Sequence, residues 1–466
     1  MNKFKIIIVT CSVMLLLLSG CANMKSSKQQ FVGIDEKLTT HDYEGALQQI
    51  RAAKGKFYKQ KERALYYLDE GMLLHFCGKY IESNEALTSA EQAIDELYSK
   101  SISRGAASML LNDNVLEYSG EDYEDIYLNV FKAMNYLELD KFDDAFVEIH
   151  RINDKLSVLE QKYQKTADQF NLSKDKKKDF KAGTNQFHNS TLGRYLSMLL
   201  YRVEGRMDDA RIDQDKITEA WRLQAQIYDF AQPDLSNYLN QDGKARLDLI
   251  SFVGRAPDKK ASTLYIHTEK DLIVIGTTEE NPRGKQELET LDVINWPGVK
   301  EGYHFKFQLP YLEMRKSNIA SVRVIVDGSY RQDLKMIENI GKVALETYKV
   351  KEPIIYLKTI TRAVIKGLAS EKGKTELSKQ VGGGLLGDLS RLATDVAVDA
   401  TENADLRISR FFPGRALIGE VELAPGTHQV KLEYYSKNGT LLWVDDLGEK
   451  NISQNGLNLF ESFYLN

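Results

Sequence analysis

Residues 71–90 read Gly71-Met72-Leu73-Leu74-His75-Phe76-Cys77-Gly78-Lys79-Tyr80-Ile81-Glu82-Ser83-Asn84-Glu85-Ala86-Leu87-Thr88-Ser89-Ala90, and this stretch decides the first half of the fold. Counted from Gly71, small or apolar side chains recur at Leu74, Gly78, Tyr80, Ser83, Leu87 and Ala90, a helical spacing with one break at Gly78. Small side chains at Gly71, Ser83 and Ala90 let two antiparallel helices approach closely, and Tyr80 and Leu87 fill the space beside them. The stretch predicts a helix, a tight turn and a second helix.

The same frame returns along the chain. Ala133, Tyr136, Phe142, Ala145, Ile149 and Ile152 fit it, as do Tyr201, Gly205, Met207, Ala210 and Ile217; Tyr43, Ala46, Ile50 and Ala53 give a partial copy. The pattern resembles the second half of helix A, the turn and helix B of a tetratricopeptide repeat, and on that resemblance Gly71, Tyr80, Ala90, Tyr136, Ala145, Tyr201 and Ala210 are packing residues. With Tyr43, Tyr80, Phe142 and Met207 as equivalent positions, the intervals are 37, 62 and 65 residues, so the units are irregular. No proline stands before Pro233 to break these helices. Residues 31–240 are expected to form a degenerate α-solenoid whose concave surface suits a peptide or another protein.

Composition narrows the class. In 466 residues, 28% charged and 42% hydrophobic excludes a disordered chain and a polytopic membrane protein. Lys and Arg number 62 against 67 Asp and Glu, a net charge of −5 that lacks the basic excess needed to track nucleic acid. At the start, Lys3 and Lys5 precede an apolar run, residues 6–18, that is too short to span a bilayer. Leu18-Ser19-Gly20-Cys21 then resembles a bacterial lipobox. That resemblance implies that residues 1–20 are a cleaved signal peptide and that Cys21 is acylated as the new N-terminus, with residues 21–30 as a tether. Ala22 and Asn23 follow Cys21 with no Asp at the second position, which on the same resemblance implies an outer-membrane anchor facing the periplasm.

After Pro233 the pattern changes. Residues 247–252, 263–267, 272–276, 303–309 and 319–326 are short apolar or alternating runs bounded by Gly, Pro, Asn and Asp, and are expected as strands of a β segment over residues 245–330. Residues 333–350, 354–370 and 375–400 return to helical spacing, a helical insertion over residues 331–402. Residues 403–466 are strand again, with Pro425-Gly426 suited to a type II turn and Asn438-Gly439 to a type I′ hairpin. A final strand at residues 457–464 is expected to close a meander. The expected fold class is α+β multidomain: an α-solenoid followed by a β-sandwich-like or β-sheet module with a helical insertion.

The whole layout resembles an uncharacterised family of bacterial envelope lipoproteins with tetratricopeptide-like repeats. The residues behind this are the lipobox at Cys21, the helical half, residues 333–348, the glycine run, the Thr401-Glu402-Asn403-Ala404-Asp405-Leu406-Arg407 stretch, Phe412-Pro413 and Leu423-Ala424-Pro425-Gly426-Thr427-His428. The family supplies no catalytic residue to transfer.

Two motifs invite a nucleotide reading. Gly382-Gly383-Gly384-Leu385-Leu386-Gly387 satisfies G-x-G-x-x-G, but the charged, helical Thr375-Glu376-Leu377-Ser378-Lys379-Gln380 stands where a buried strand must lead into the turn. Gly373-Lys374-Thr375 lacks the earlier glycine of a phosphate loop, since position 368 is Leu368. Four glycines in six residues instead suggest close helix packing or membrane contact. The histidines stand singly, and Cys77 has no nearby cysteine to share a metal. No catalytic group, metal or cofactor is expected. The functional expectation is a lipid-anchored periplasmic scaffold that binds envelope proteins or peptides, without nucleic acid or nucleotide. An assembly or regulatory factor for a cell-wall synthase, secretion or surface-polymer export machine is the alternative, and an enzyme acting on cell-wall or polysaccharide substrates is the alternative of another class.

Overall fold

The computed structural model describes residues 29–110, 113–114, 116–171, 181–240, 244–280, 286–296, 298–371 and 403–466. The expected lipobox at Cys21, most of the expected tether, the expected helix over residues 375–400 and the glycine run at residues 382–387 lie outside the described residues. The chain is α+β, with a helical first half followed by three largely antiparallel sheets.

The first half pairs its helices through one repeated turn. Helices α1 (Ile34–Thr39) and α2 (Tyr43–Ala53), α3 (Arg63–Phe76) and α4 (Tyr80–Leu110), α5 (Asp122–Glu138) and α6 (Phe142–Asn171), and α7 (Thr191–Val203) and α8 (Met207–Leu223) are each separated by three residues. The middle residue is left-handed each time, at φ 59° for His41, 69° for Gly78, 55° for Asp140 and 74° for Gly205. The next N–H closes back on the first helix in the same way: Asp42 to Lys37 at 2.8 Å, Lys79 to Leu74 at 2.9 Å, Lys141 to Tyr136 at 2.8 Å and Arg206 to Tyr201 at 2.8 Å. These 6→1 bonds satisfy carbonyls that a helix end would otherwise leave bare. Three residues into each second helix stands a fully buried small side chain, Ala46, Ser83, Ala145 or Ala210. In the second hairpin a Cβ on Gly71 would lie 2.7 Å from Leu87, and Ser83 Oγ donates to the Gly71 carbonyl at 2.8 Å.

Sheet I has the order β12 (Leu459–Tyr464), β1 (Ala245–Arg255), β9 (Pro413–Leu423), β8 (Lys335–Glu338). The first helices of the hairpins lie on it, which explains why α5 is buried on nearly every side. Phe131 of α5 meets Phe252 at 5.0 Å, and Phe76 of α3 meets Phe463 at 4.7 Å between ring centroids. The concave surface expected of the helices is therefore filled by the chain's own sheet. On the other side, Leu247, Leu249 and Val253 of β1 pack with Val324, Val430 and Leu432 of sheet II, whose order is β11 (Leu441–Ile452), β10 (Gly426–Tyr435), β6 (Ser321–Val326), β7 (Tyr330–Asp333). Strand β1 is buried on both faces along nearly its whole length, and the apolar Leu249, Ile250, Phe252 and Val253 within it fit that position.

Sheet III, in the order β4 (Gln286–Asn295), β3 (Leu272–Glu280), β2 (Asp258–Glu269), β5 (His304–Glu313), buries Ile273, Ile275 and Phe307 against Leu357, Ile360 and Val364 of helix α9 (Ile340–Glu371). Pro353 stands inside α9 and leaves the helix short of one N–H. Beside it Gly183 donates to the Val350 carbonyl at 2.9 Å, in a contact so close that a Cβ would lie 2.1 Å from the Lys349 carbonyl oxygen.

Several local expectations differ. Residues 331–338 lie in or between β7 and β8, and the two helical runs expected over residues 333–370 are one helix starting at Ile340. The strands of residues 403–466 do not form a meander: β9 lies in sheet I, β10 in sheet II, and β12 pairs in parallel with β1. Pro425-Gly426 thus carries the chain between sheets. At Asn438-Gly439 only Gly439 has positive φ, and its N–H donates to the Ser436 carbonyl at 3.0 Å, so the turn is not type I′. Strand β4 was not expected, because Gln286-Glu287-Leu288-Glu289 is polar, as befits an edge strand.

Candidate functional site

The helical half, sheet III and α9 meet around a cavity of about 220 Å³. Ile94 and Leu97 of α4 and Ile354 and Ile355 of α9 give it apolar walls, and Tyr98, Tyr118 and Tyr163 give it aromatic ones. Its charges are mostly paired. Glu121, at the N-cap of α5, lies between the ammonium groups of Lys259 and Lys351. Lys162 bonds Asp122 at 2.8 Å, and Arg407 bonds Asp405 at 2.7 Å while also donating to the Asp113 carbonyl at 2.7 Å.

Lys358 of α9 is the exception. Among the described residues its ammonium group has neither a hydrogen bond nor an ion pair. Burial pushes its pKa down, Asp113 draws it back up, and the neighbouring Arg362 lowers it further. Among the described residues, the cavity thus offers one uncommitted cation beside apolar and aromatic surfaces. Small-molecule pockets usually measure roughly 300–1,000 Å³, so this one suits a side chain or a chain end better than a large ligand.

The repeat residues lie elsewhere. Gly71, Ala90, Ala145 and Ala210 are buried between helices, while Tyr80, Tyr136 and Tyr201 are half-buried, with Tyr201 packed on Phe146 at 4.9 Å and under the Arg206 guanidinium at 4.4 Å. None lines the cavity. Cys77 is a half-buried free thiol whose pKa burial pushes up to about 11. His75 is buried between Asn135 at 2.7 Å and Glu461 at 2.9 Å. Among the described residues no three His, Cys, Asp or Glu side chains gather as metal ligands, and no helix is long and apolar enough to cross a membrane.

Sequence reading missed a set of buried acids. Glu338 of β8 is fully buried at the N-terminus of α7, where it accepts from Tyr127 at 2.5 Å, Tyr228 at 2.8 Å and Ser190 at 2.9 Å. Burial raises its pKa, and these donors draw it back. Asp248 of β1 and Glu420 of β9 share Arg202 of α7, with Arg246 closing the network on Glu420. Asp69 accepts from Tyr58 at 2.6 Å and Ser409 at 2.7 Å; Glu124 accepts from Tyr118 at 2.7 Å and the Ser409 N–H at 2.6 Å. Burial pushes both carboxyls up to about 7, a range useful to a general acid. Both side chains are completely enclosed, however, and neither lines the cavity, so they hold the segment before β9 onto the helices. No feature of local spacing marks these acids, because each also needs a partner far along the chain, such as Ser409 for Asp69 and Glu124, Tyr127 for Glu338 and Arg202 for Glu420. No protein-family model, curated protein or solved structure matches the chain.

Proposed function

We propose that this chain is a lipid-anchored, non-catalytic binding protein of the bacterial envelope, attached to the outer membrane through Cys21 and facing the periplasm. Its hairpins are an irregular tetratricopeptide-like array, a reading supported by the four identical turns and the buried small residues that follow them. Because sheet I fills the inner face, binding falls to the junction cavity. There an acidic side chain or chain end of another envelope protein enters and pairs with Lys358. The uncommitted Lys358 ammonium group carries this reading, and the small volume favours an inserted side chain over a polysaccharide substrate.

The test is crosslinking in intact cells from a photoreactive residue at position 355. A discrete adduct with an envelope protein is expected, lost on Lys358→Glu. An adduct indifferent to that change, or no adduct from the cavity wall, contradicts the proposal. The anchor is tested separately: Cys21→Ser is expected to move the protein out of the membrane fraction, since several acyl chains give an attachment that one chain does not.

A further inference from the structure

A second feature lies away from the cavity. Arg255 ends β1, Arg315 follows β5 and Arg410 precedes β9, and all three lie around Asp35 at the start of α1. Arg255 pairs with Asp35, and Arg410 Nη2 lies 3.5 Å from the same carboxylate. Arg315 is left out. Its nearest carboxylate among the described residues, Asp258, is 3.6 Å from Nη2, too far for a hydrogen bond. Arg315 Nε, Nη1 and Nη2, Arg410 Nε and the Tyr123 hydroxyl are all buried with no hydrogen-bond partner among the described residues.

A guanidinium group cannot shed its proton to escape burial, so an enclosed arginine needs a counter-charge. Here burial, then Arg410 and Arg255, lower the pKa of Arg315 to about 10, and Asp258 offsets them only in part. Unsatisfied buried donors in a folded protein point to a bound water or ion. Five of them facing a surplus of positive charge favour an anion, and the planar forks of arginine match the oxygens of a phosphate group. The Arg410 guanidinium lies 5.2 Å over the Phe31 ring, which helps to fix its orientation, and the half-exposed Asp35 marks the open side.

We infer that Arg315 and Arg410, with the Tyr123 hydroxyl, form a binding site for a phosphate-type oxyanion. The oxyanion is either free, as phosphate or a soluble phosphate ester, or carried by a phospholipid headgroup.

The experiment titrates the purified full chain with inorganic phosphate, with sodium chloride holding the ionic strength constant, and follows the melting temperature. One saturable site with an apparent Kd below about 1 mM is expected, and Arg410→Gln should weaken it by roughly tenfold or more through loss of a charge-assisted contact. Arg315→Gln should abolish it; if that variant does not fold, the wild-type titration and Arg410→Gln decide. A second arm measures flotation with phosphatidylglycerol vesicles against phosphatidylcholine vesicles, using the Cys21→Ser chain so that acyl chains play no part. Flotation that needs Arg410 and yields to free phosphate assigns the headgroup as source, and phosphate binding without flotation assigns a soluble one. Equal behaviour in phosphate and chloride, together with no arginine-dependent flotation, overturns the inference.

Discussion

Asp69 and Glu124 titrate in the direction opposite to a salt-bridged carboxylate. Burial is the main cause for each, with Glu124 adding to Asp69 and Glu121 to Glu124, and both rise to about 7 from ordinary values of 3.8 and 4.5. Between those values and pH 7 the folded chain keeps a proton that the unfolded chain has released, so stability falls as pH rises through that window. For Asp69 alone the loss is of order 4 kcal/mol. Asp69→Asn is expected to flatten the fall in urea midpoint between pH 5 and pH 8, since the amide resembles the protonated acid. An unchanged slope would show that the carboxyl is not held neutral. This pair is not legible in the local pattern: Ser409, which binds both, is 340 residues from Asp69. Ala145 and Ala210, by contrast, stand at a helical spacing that is local, and both are fully buried. Replacing either with Phe should lower stability by roughly 1–3 kcal/mol, read as a drop in melting temperature.

At the scale of elements, the three-residue turn makes a graded prediction. Asp140 holds φ 55°, a conformation that costs an L-residue about 1–2 kcal/mol relative to glycine. Asp140→Gly is therefore expected to raise the melting temperature, whereas Gly205→Ala at the equivalent site lowers it. His41→Gly should bring no gain, because the His41 ring also stacks on Trp443 at 3.7 Å and on Tyr464 at 4.8 Å. A fall in melting temperature for Asp140→Gly, or no fall for Gly205→Ala, would mean that the turns are not equivalent. The turns at Gly78 and Gly205 could be read from sequence because glycine punctuates a helical period, whereas no such mark stands at His41 or Asp140. The strands were harder: β1, β2, β3, β5 and β6 were visible as apolar runs, but strand order depends on pairing across more than a hundred residues. Hence β9 and β10, adjacent in sequence and joined by a plausible turn, belong to different sheets.

For the whole molecule, the expected division into a helical half and a β module obscures how the two are joined. One hydrophobic core runs from Phe31 through α3, α5 and α7 into Ile250, Phe252, Ile418 and Leu465, and Glu338 and the Arg202 network cross the same boundary with buried polar contacts. Removing one member of such a network leaves a buried charge unpaired, so neither side should survive the loss of the other. Three tryptophans report on different places: Trp221 on the helices beside Tyr228, Trp296 in the core of sheet III and Trp443 on sheet II, where it meets His41. Variants retaining one tryptophan each, unfolded in urea and followed by fluorescence, test the account most directly. If the helices are closed on their own sheet, Trp221 and Trp443 report the same midpoint once each variant is corrected for its own stability by circular dichroism. A Trp221 transition well separated from that of Trp443 would mean that the helices stand apart as an open array, and would contradict the account.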